Sequence, residues 1–157
     1  MVIAGQRRHW AGLPVFAVTL ALVAAVGALA AVDAGAEYLA LERPSWAPPQ
    51  WLFGPAWTVL YIMIAVSGWL AWSARGWTPA LGVYAAQLLL NAAWTPLFFG
   101  AGRYGLAFAE IVVLWGTITA TVVMFRPISR PAAWLLVPYL LWVTYAASLN
   151  LAVWLLN

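Results

Sequence analysis

Residues 10–32 read WAGLPVFAVTLALVAAVGALAAV, a run of 23 residues without a charge, preceded by Arg7 and Arg8. A basic flank followed by an Ala-rich apolar run invites comparison with a cleaved secretory leader, whose apolar region is about 7–15 residues long. This run is longer, and a helix needs about 20 apolar residues to cross the hydrocarbon core of a bilayer. It is therefore read as a membrane-spanning helix of the mature chain.

Four further apolar stretches match it. The expected spans are 10–33, 51–73, 79–99, 104–125 and 132–155, separated by short polar or Pro/Gly-rich breaks. The expectation is an all-α membrane protein, a bundle of five transmembrane helices forming one domain over residues 1–157. Three breaks are only a few residues long, which makes successive helices antiparallel neighbours. Composition agrees. The 157 residues are 66% hydrophobic and 7% charged, against about 25% charged in soluble domains. Too few polar groups remain to cover a water-facing surface, so membrane lipid is the expected solvent.

With no Cys, disulfides, thiolate catalysis and Cys-ligated metals are excluded, and the single His, His9, cannot make a metal site alone. The net charge of +3 comes from Arg, mostly in the breaks, and reads as topology, with no nucleic-acid partner expected. Arg7, Arg8, Arg75, Arg126 and Arg130 fall on one side of the bundle, Arg43 and Arg103 on the other. The balance puts the N-terminus on the cytoplasmic side of an inner membrane.

The first break, Asp33 to Gln50, contains Arg43-Pro44-Ser45-Trp46-Ala47-Pro48-Pro49. Its prolines stiffen it, and Trp46 suits a membrane interface. The loop reads as either an interfacial anchor or a lid. In the third span, Gln87, Asn91, Trp94, Thr95 and Phe98 share one helix face. Amides in hydrocarbon must find partners or line a wet cavity. Trp57, Tyr61 and Gly68 make a stripe in the second span. Trp142, Ala146 and Asn150 make one in the fifth, flanked by Tyr139 and Tyr145. Together these stripes suggest an aromatic-walled pocket with a few polar handles, suited to a flat apolar ligand, although aromatic stripes also serve packing.

Glu110 is the carboxylate placed well inside a span, and a structural pair with Arg103 is expected. Gly82-x-x-x-Ala86 is a small-residue pattern that permits close helix approach. It suggests a homodimer through the third helix.

With these residues in view, the chain resembles the TspO/MBR family, the tryptophan-rich sensory proteins with mitochondrial relatives known as translocator proteins or peripheral-type benzodiazepine receptors. The resemblance rests on Arg43-Pro44-Ser45-Trp46-Ala47-Pro48-Pro49, Pro55-Ala56-Trp57-Thr58-Val59-Leu60-Tyr61, Tyr84-Ala85-Ala86-Gln87-Leu88-Leu89-Leu90-Asn91, Trp94 with Phe98-Phe99, and Pro138-Tyr139-Leu140-Leu141-Trp142 through Leu149-Asn150. It implies a five-helix bundle that binds porphyrins such as protoporphyrin IX or haem as ligand, and benzodiazepine-site drugs, with no obligatory cofactor. The implied pocket lies between the helices, closed by the first loop. By motif position it involves Tyr38, Trp46, Trp57, Asn91, Ala146 and Asn150, to which the stripes and loop add Arg43, Tyr61, Gln87, Trp94, Phe98 and Trp142. The C-terminal sterol pattern of mitochondrial members, with its Tyr and Arg, has no counterpart in residues 150–157.

Three functions are then open. One is a sensor, regulator or transporter of porphyrins. A second is a light- and oxygen-dependent porphyrin-degrading enzyme using Trp57, since no conventional catalytic pair is present. A third is a structural membrane subunit without a ligand.

Overall fold

The computed structural model describes residues 2–32 and 34–157, with side chains from Gly12 onward. His9 therefore lies outside the described side chains. The long helices are α1 (Val2–Ala30), α3 (Phe53–Arg75), α4 (Pro79–Thr95), α5 (Tyr104–Phe125) and α7 (Val137–Leu156). Two short helices, α2 (Ala34–Ala40) and α6 (Arg130–Leu135), complete the α-helices among the described residues. The all-α membrane class stands, but the count of five needs correction. Four segments are long and apolar enough to cross a membrane: Gly12–Ala30, Gln50–Arg75, Tyr104–Phe125 and Arg130–Leu156.

Proline explains both departures. Pro96 cannot donate the next α-helical hydrogen bond, so α4 ends after 17 residues. The chain continues as a π turn over Pro96–Gly100, in which the Ala101 amide donates to the Pro96 carbonyl at 2.9 Å. With that turn the segment reaches 100, about where the sequence places its end. Pro138 likewise removes a donor in the first turn of α7, and the expected last helix breaks at Leu136 into α6 and α7. Gly102, at φ +59°, supplies the left-handed residue that turns the chain into α5.

α1 packs on α3 and α4, α4 on α5, α5 on α7, and α6 on α3, closing a ring of helices. The expected contact between successive helices therefore fails for much of α3 and α4. Between these two, the Tyr84 hydroxyl reaches over Gly68 to the middle of α3 and donates to the Ile64 carbonyl at 2.9 Å. They make few direct backbone contacts, and α1 packs against both.

The surface fits a bilayer. Trp77 and Trp134 are 81% and 70% exposed at one end, Trp51 and Trp46 71% and 48% at the other, as interfacial belts require. On α5, the hydroxyls of Thr117, Thr119 and Thr121 each donate to the carbonyl four residues back, at 2.7–2.9 Å. That leaves no hydroxyl proton of theirs bare in the hydrocarbon. The chain is an integral membrane protein.

Candidate ligand-binding site

A cavity of about 430 Å³ lies between the helices beneath the first loop. Clefts that take small organic ligands run from about 300 to 1,000 Å³. Its walls come from α1, α2, α3, the end of α4, and α7, and none of the described side chains lining it is charged.

The aromatic wall is braced from behind. Trp57 stacks on Tyr61 at 5.3 Å between ring centroids, and Trp94 stacks on Phe98 at 5.0 Å. The Tyr61 hydroxyl donates to Asn91 Oδ1 at 3.0 Å, and Asn91 Nδ2 donates to the Tyr139 hydroxyl at 3.0 Å. Nearer the loop, Trp94 Nε1 donates to Asn150 Oδ1 at 3.1 Å, while Asn150 Nδ2 donates to the Tyr104 carbonyl at 2.9 Å. Each amide thus ties helices across the bundle. α3, α4 and α7 meet at Asn91; α4, α5 and α7 meet at Asn150. Buried amides so satisfied fix one arrangement of the rings around them.

The first loop is fastened at three points. The buried Tyr38 hydroxyl donates to the Pro48 carbonyl at 2.8 Å. Tyr145 donates to the Trp46 carbonyl at 3.1 Å, and its ring meets the Trp46 indole edge-on at 5.8 Å. Asn157 accepts from the Glu42 amide at 3.1 Å and donates to the Glu42 carbonyl at 3.0 Å. The Arg43 guanidinium lies 4.6 Å from the centre of the Tyr38 ring.

Of the residues singled out from the sequence, Tyr38, Trp57, Tyr61, Trp94, Phe98, Ala146 and Asn150 line this cavity. Asn91 and Trp142 line a second, smaller chamber of about 30 Å³ beside it. Gln87 is fully buried one turn below Asn91, with neither amide atom hydrogen-bonded, and lines neither space. Trp46 and Arg43 belong to the loop, outside the cavity wall. Gly82 and Ala86 are exposed on the outer face of α4. The expected Glu110–Arg103 pair is not formed: both Glu110 oxygens are buried without a hydrogen-bond partner, while Arg103 is exposed.

The structure adds wall residues that the sequence did not nominate. Gly27 and Ala28 of α1, and Ala31 just after it, line the cavity, with a Cβ on Gly27 3.8 Å from Thr95 Oγ1 and 4.0 Å from the Tyr61 hydroxyl, and Gln50 closes over Gly35. A Cβ on Gly35 would collide with the Gln50 amide, so glycine there gives that side chain its seat. Nothing in spacing alone tells a face that packs from one that borders a space.

Chemically, the site can hold an apolar, flat molecule against rings. Among the described residues it offers no carboxylate, imidazole or ammonium for proton transfer, and no group of three or more His, Cys, Asp or Glu could hold a metal ion.

Comparison with known proteins agrees with this architecture. The TspO/MBR family model matches residues 15–155. The chain is 39% identical to protein CrtK of Rhodobacter capsulatus over 150 residues, covering 92% of this chain and 94% of that one. It is 38% identical to the tryptophan-rich sensory protein of Cereibacter sphaeroides over 148 residues, covering 94% and 92%. It is 43% identical to the translocator protein of Ovis aries over 122 residues, covering 74% and 72%. On a family match over residues 15–155 and on relatives similar across nearly all their length, the chain belongs to the TspO/MBR family.

Proposed function

We propose that this protein binds a porphyrin, such as protoporphyrin IX or haem, in the 430 Å³ cavity and acts as a sensor, regulator or transporter of it. The observation that carries the reading is the wall itself. Trp57, Tyr61, Trp94 and Phe98 present ring faces and edges to an uncharged space, which suits a flat conjugated macrocycle better than a polar or compact solute. Arg43, against the Tyr38 ring, gives a charged group near the mouth for a porphyrin carboxylate. The same cavity suits drugs of the benzodiazepine-site type. The Cereibacter sphaeroides relative is a tryptophan-rich sensory protein, which supports the sensor role.

The test is a titration of the purified protein with protoporphyrin IX and with haem, read by thermal unfolding. A ligand at 100 times its Kd stabilises the folded state by about 2.7 kcal/mol. A clear rise in Tm with either porphyrin supports the reading. No rise with either leaves a structural subunit as the better one.

The second reading, photo-oxidative porphyrin degradation, is favoured by one feature: the Trp57 indole stands on the cavity wall, where a bound macrocycle would touch it. Illuminating the porphyrin complex under oxygen separates binding from breakdown. Orientation with the N-terminus in the cytoplasm follows from the Arg balance. A homodimer through α4 is supported by the exposure of Gly82 and Ala86, a Cβ on Gly82 meeting nothing within 4 Å. Gly82→Leu should weaken crosslinking between copies in native membrane, and unchanged crosslinking moves the interface elsewhere.

A further inference from the structure

A wall group that has given its hydrogen to the protein cannot also give it to a ligand. The hydroxyls of Tyr38, Thr58 and Tyr61 donate to the Pro48 carbonyl, the Gly54 carbonyl and Asn91 Oδ1. The Trp94 indole donates to Asn150, which is 1% exposed and has given one amide hydrogen to the Tyr104 carbonyl. Among the described lining residues, the side chains that keep all their hydrogens to give are Trp57, Thr95 and Gln50. Trp57 and Thr95 also border the small inner chamber, among the rings. Gln50 does not. It is exposed, and it opens the span Gln50–Arg75 at the loop end of the bundle.

A missing side chain gives Gln50 its place. A Cβ on Gly35 would collide with Gln50 Nε2 and lie 3.0 Å from its Cδ. Gly35 belongs to α2 and lines the same cavity. The amide therefore rests against the backbone of α2, which narrows the rotamers open to a long, exposed side chain. A group already placed loses less freedom when it meets a ligand. The amide carries two hydrogens to give and an oxygen that accepts, with no charge.

We propose that Gln50 is a specificity-determining residue of the cavity, seated by Gly35, whose amide donates to an oxygen on the edge of a ring ligand. The proposal rests on the reading of the cavity as a porphyrin site. It names what that site selects: a macrocycle with carboxyl or ester oxygens on its edge, over one whose edge is alkyl only. Trp57, Tyr61, Trp94 and Phe98 meet the flat apolar part of the ligand, which the two macrocycles share. Gln50, at the loop end, meets the edge. A site with a hydrogen-bonding group for its ligand discriminates against the analogue that lacks the partner. Because Gln50 is exposed and its amide trades with water, the expected factor is about three to ten. A neutral amide serves an ester as well as a carboxylate, which separates its role from that of the Arg43 charge.

The experiment titrates the purified protein, in one detergent, with protoporphyrin IX dimethyl ester and with etioporphyrin, whose edge carries alkyl groups only. Binding is read by quenching of tryptophan fluorescence. The wild type should bind the ester about three- to tenfold more tightly. Gln50→Met keeps the length of the side chain without its amide. It should leave the etioporphyrin Kd and the Tm unchanged and abolish the preference. Gly35→Ala retains Gln50 but displaces its amide, and should reduce the preference as well. A preference that survives Gln50→Met overturns the role of Gln50, and one that survives Gly35→Ala intact overturns Gly35 as its seat. Equal binding of the two ligands by the wild type overturns the proposal and leaves the porphyrin reading standing. No binding of either, with protoporphyrin IX also unbound, refutes that reading itself.

Discussion

The two ends of the bundle are built from similarly apolar sequence and end up opposite in character. At the end of the α3–α4 turn, Ala71, Ala80, Phe125, Ala132, Ala133 and Leu136 are all buried, and the Ser67 hydroxyl donates to the Ala132 carbonyl at 2.7 Å. Small side chains let helices close up there, and the polar group between them is satisfied. Under the first loop the helices carry Trp, Tyr and Phe instead. These rings brace one another and are tied across the bundle by Asn91 and Asn150. A cavity persists because its walls are too stiff and too well bonded to collapse. Aromatic content alone does not hollow a bundle, since Tyr84 and Phe125 stack at 5.8 Å in the packed end. What differs is the buried amides that hold rings apart.

Glycine gives the sharpest way to break this comparison. A Cβ on Gly68 would lie 2.6 Å from Tyr84 Cζ and 2.8 Å from Phe16. Tyr84 cannot yield, because its hydroxyl is bonded to Ile64 and its ring is stacked on Phe125. Gly68→Ala should cost about 1–3 kcal/mol by overpacking, even against the helix preference for Ala, which opposes it by about 1 kcal/mol. On Gly27 the same Cβ meets nothing closer than Thr95 Oγ1 at 3.8 Å. Gly27→Ala should leave Tm unchanged or slightly raised while weakening porphyrin binding, because the methyl enters the cavity. Equal losses of Tm in both variants would mean that the two ends are packed alike.

Next in size is the tie itself. Asn91→Ala removes two hydrogen bonds and leaves the fully buried Tyr139 hydroxyl without its donor. The expected cost is about 1–3 kcal/mol in thermal unfolding, with porphyrin affinity reduced as well. Trp57→Phe keeps a ring on the wall and should lower affinity with Tm nearly unchanged. If Asn91→Ala alters neither stability nor binding, the amide is not what holds the cavity open.

Much of this was legible in the sequence, and the reasons for the remainder are specific. Uninterrupted apolar runs gave the spans, and the period of α4 put Asn91, Trp94 and Phe98 on one face. The break at Leu136 was less legible, because Pro138 sits in a run of otherwise unbroken hydropathy. The α1 wall was not legible, since small residues such as Gly27 and Ala28 read alike whether their face packs or borders a space. Trp46 shows the same limit at the loop. Its place beside Tyr145 depends on a contact across 99 positions of sequence. The free Glu110 carboxyl has no counterpart in any pattern: spacing put it within reach of Arg103, and packing turned that arginine to solvent.

The smallest expected effect concerns how the closed end of the cavity is fastened. Asn157 grips both the amide and the carbonyl of Glu42, so its side chain pairs with the loop as a neighbouring strand would. Both bonds are exposed, and exposed hydrogen bonds trade against water, contributing about 0.5–1.5 kcal/mol each at most. The loop also keeps its Tyr38–Pro48 and Tyr145–Trp46 bonds when this grip is lost. Asn157→Ala should therefore leave Tm within measurement error. Hydrogen exchange at the Glu42 amide should nevertheless quicken, because that amide loses its acceptor while the Ala47 amide keeps the Pro44 carbonyl at 3.0 Å. Porphyrin dissociation should rise by a few-fold at most if the loop is the exit. Faster exchange at Glu42 with no change in dissociation would show that the loop closes the bundle without gating it, and would move the exit to the side of the cavity walled by the small residues of α1.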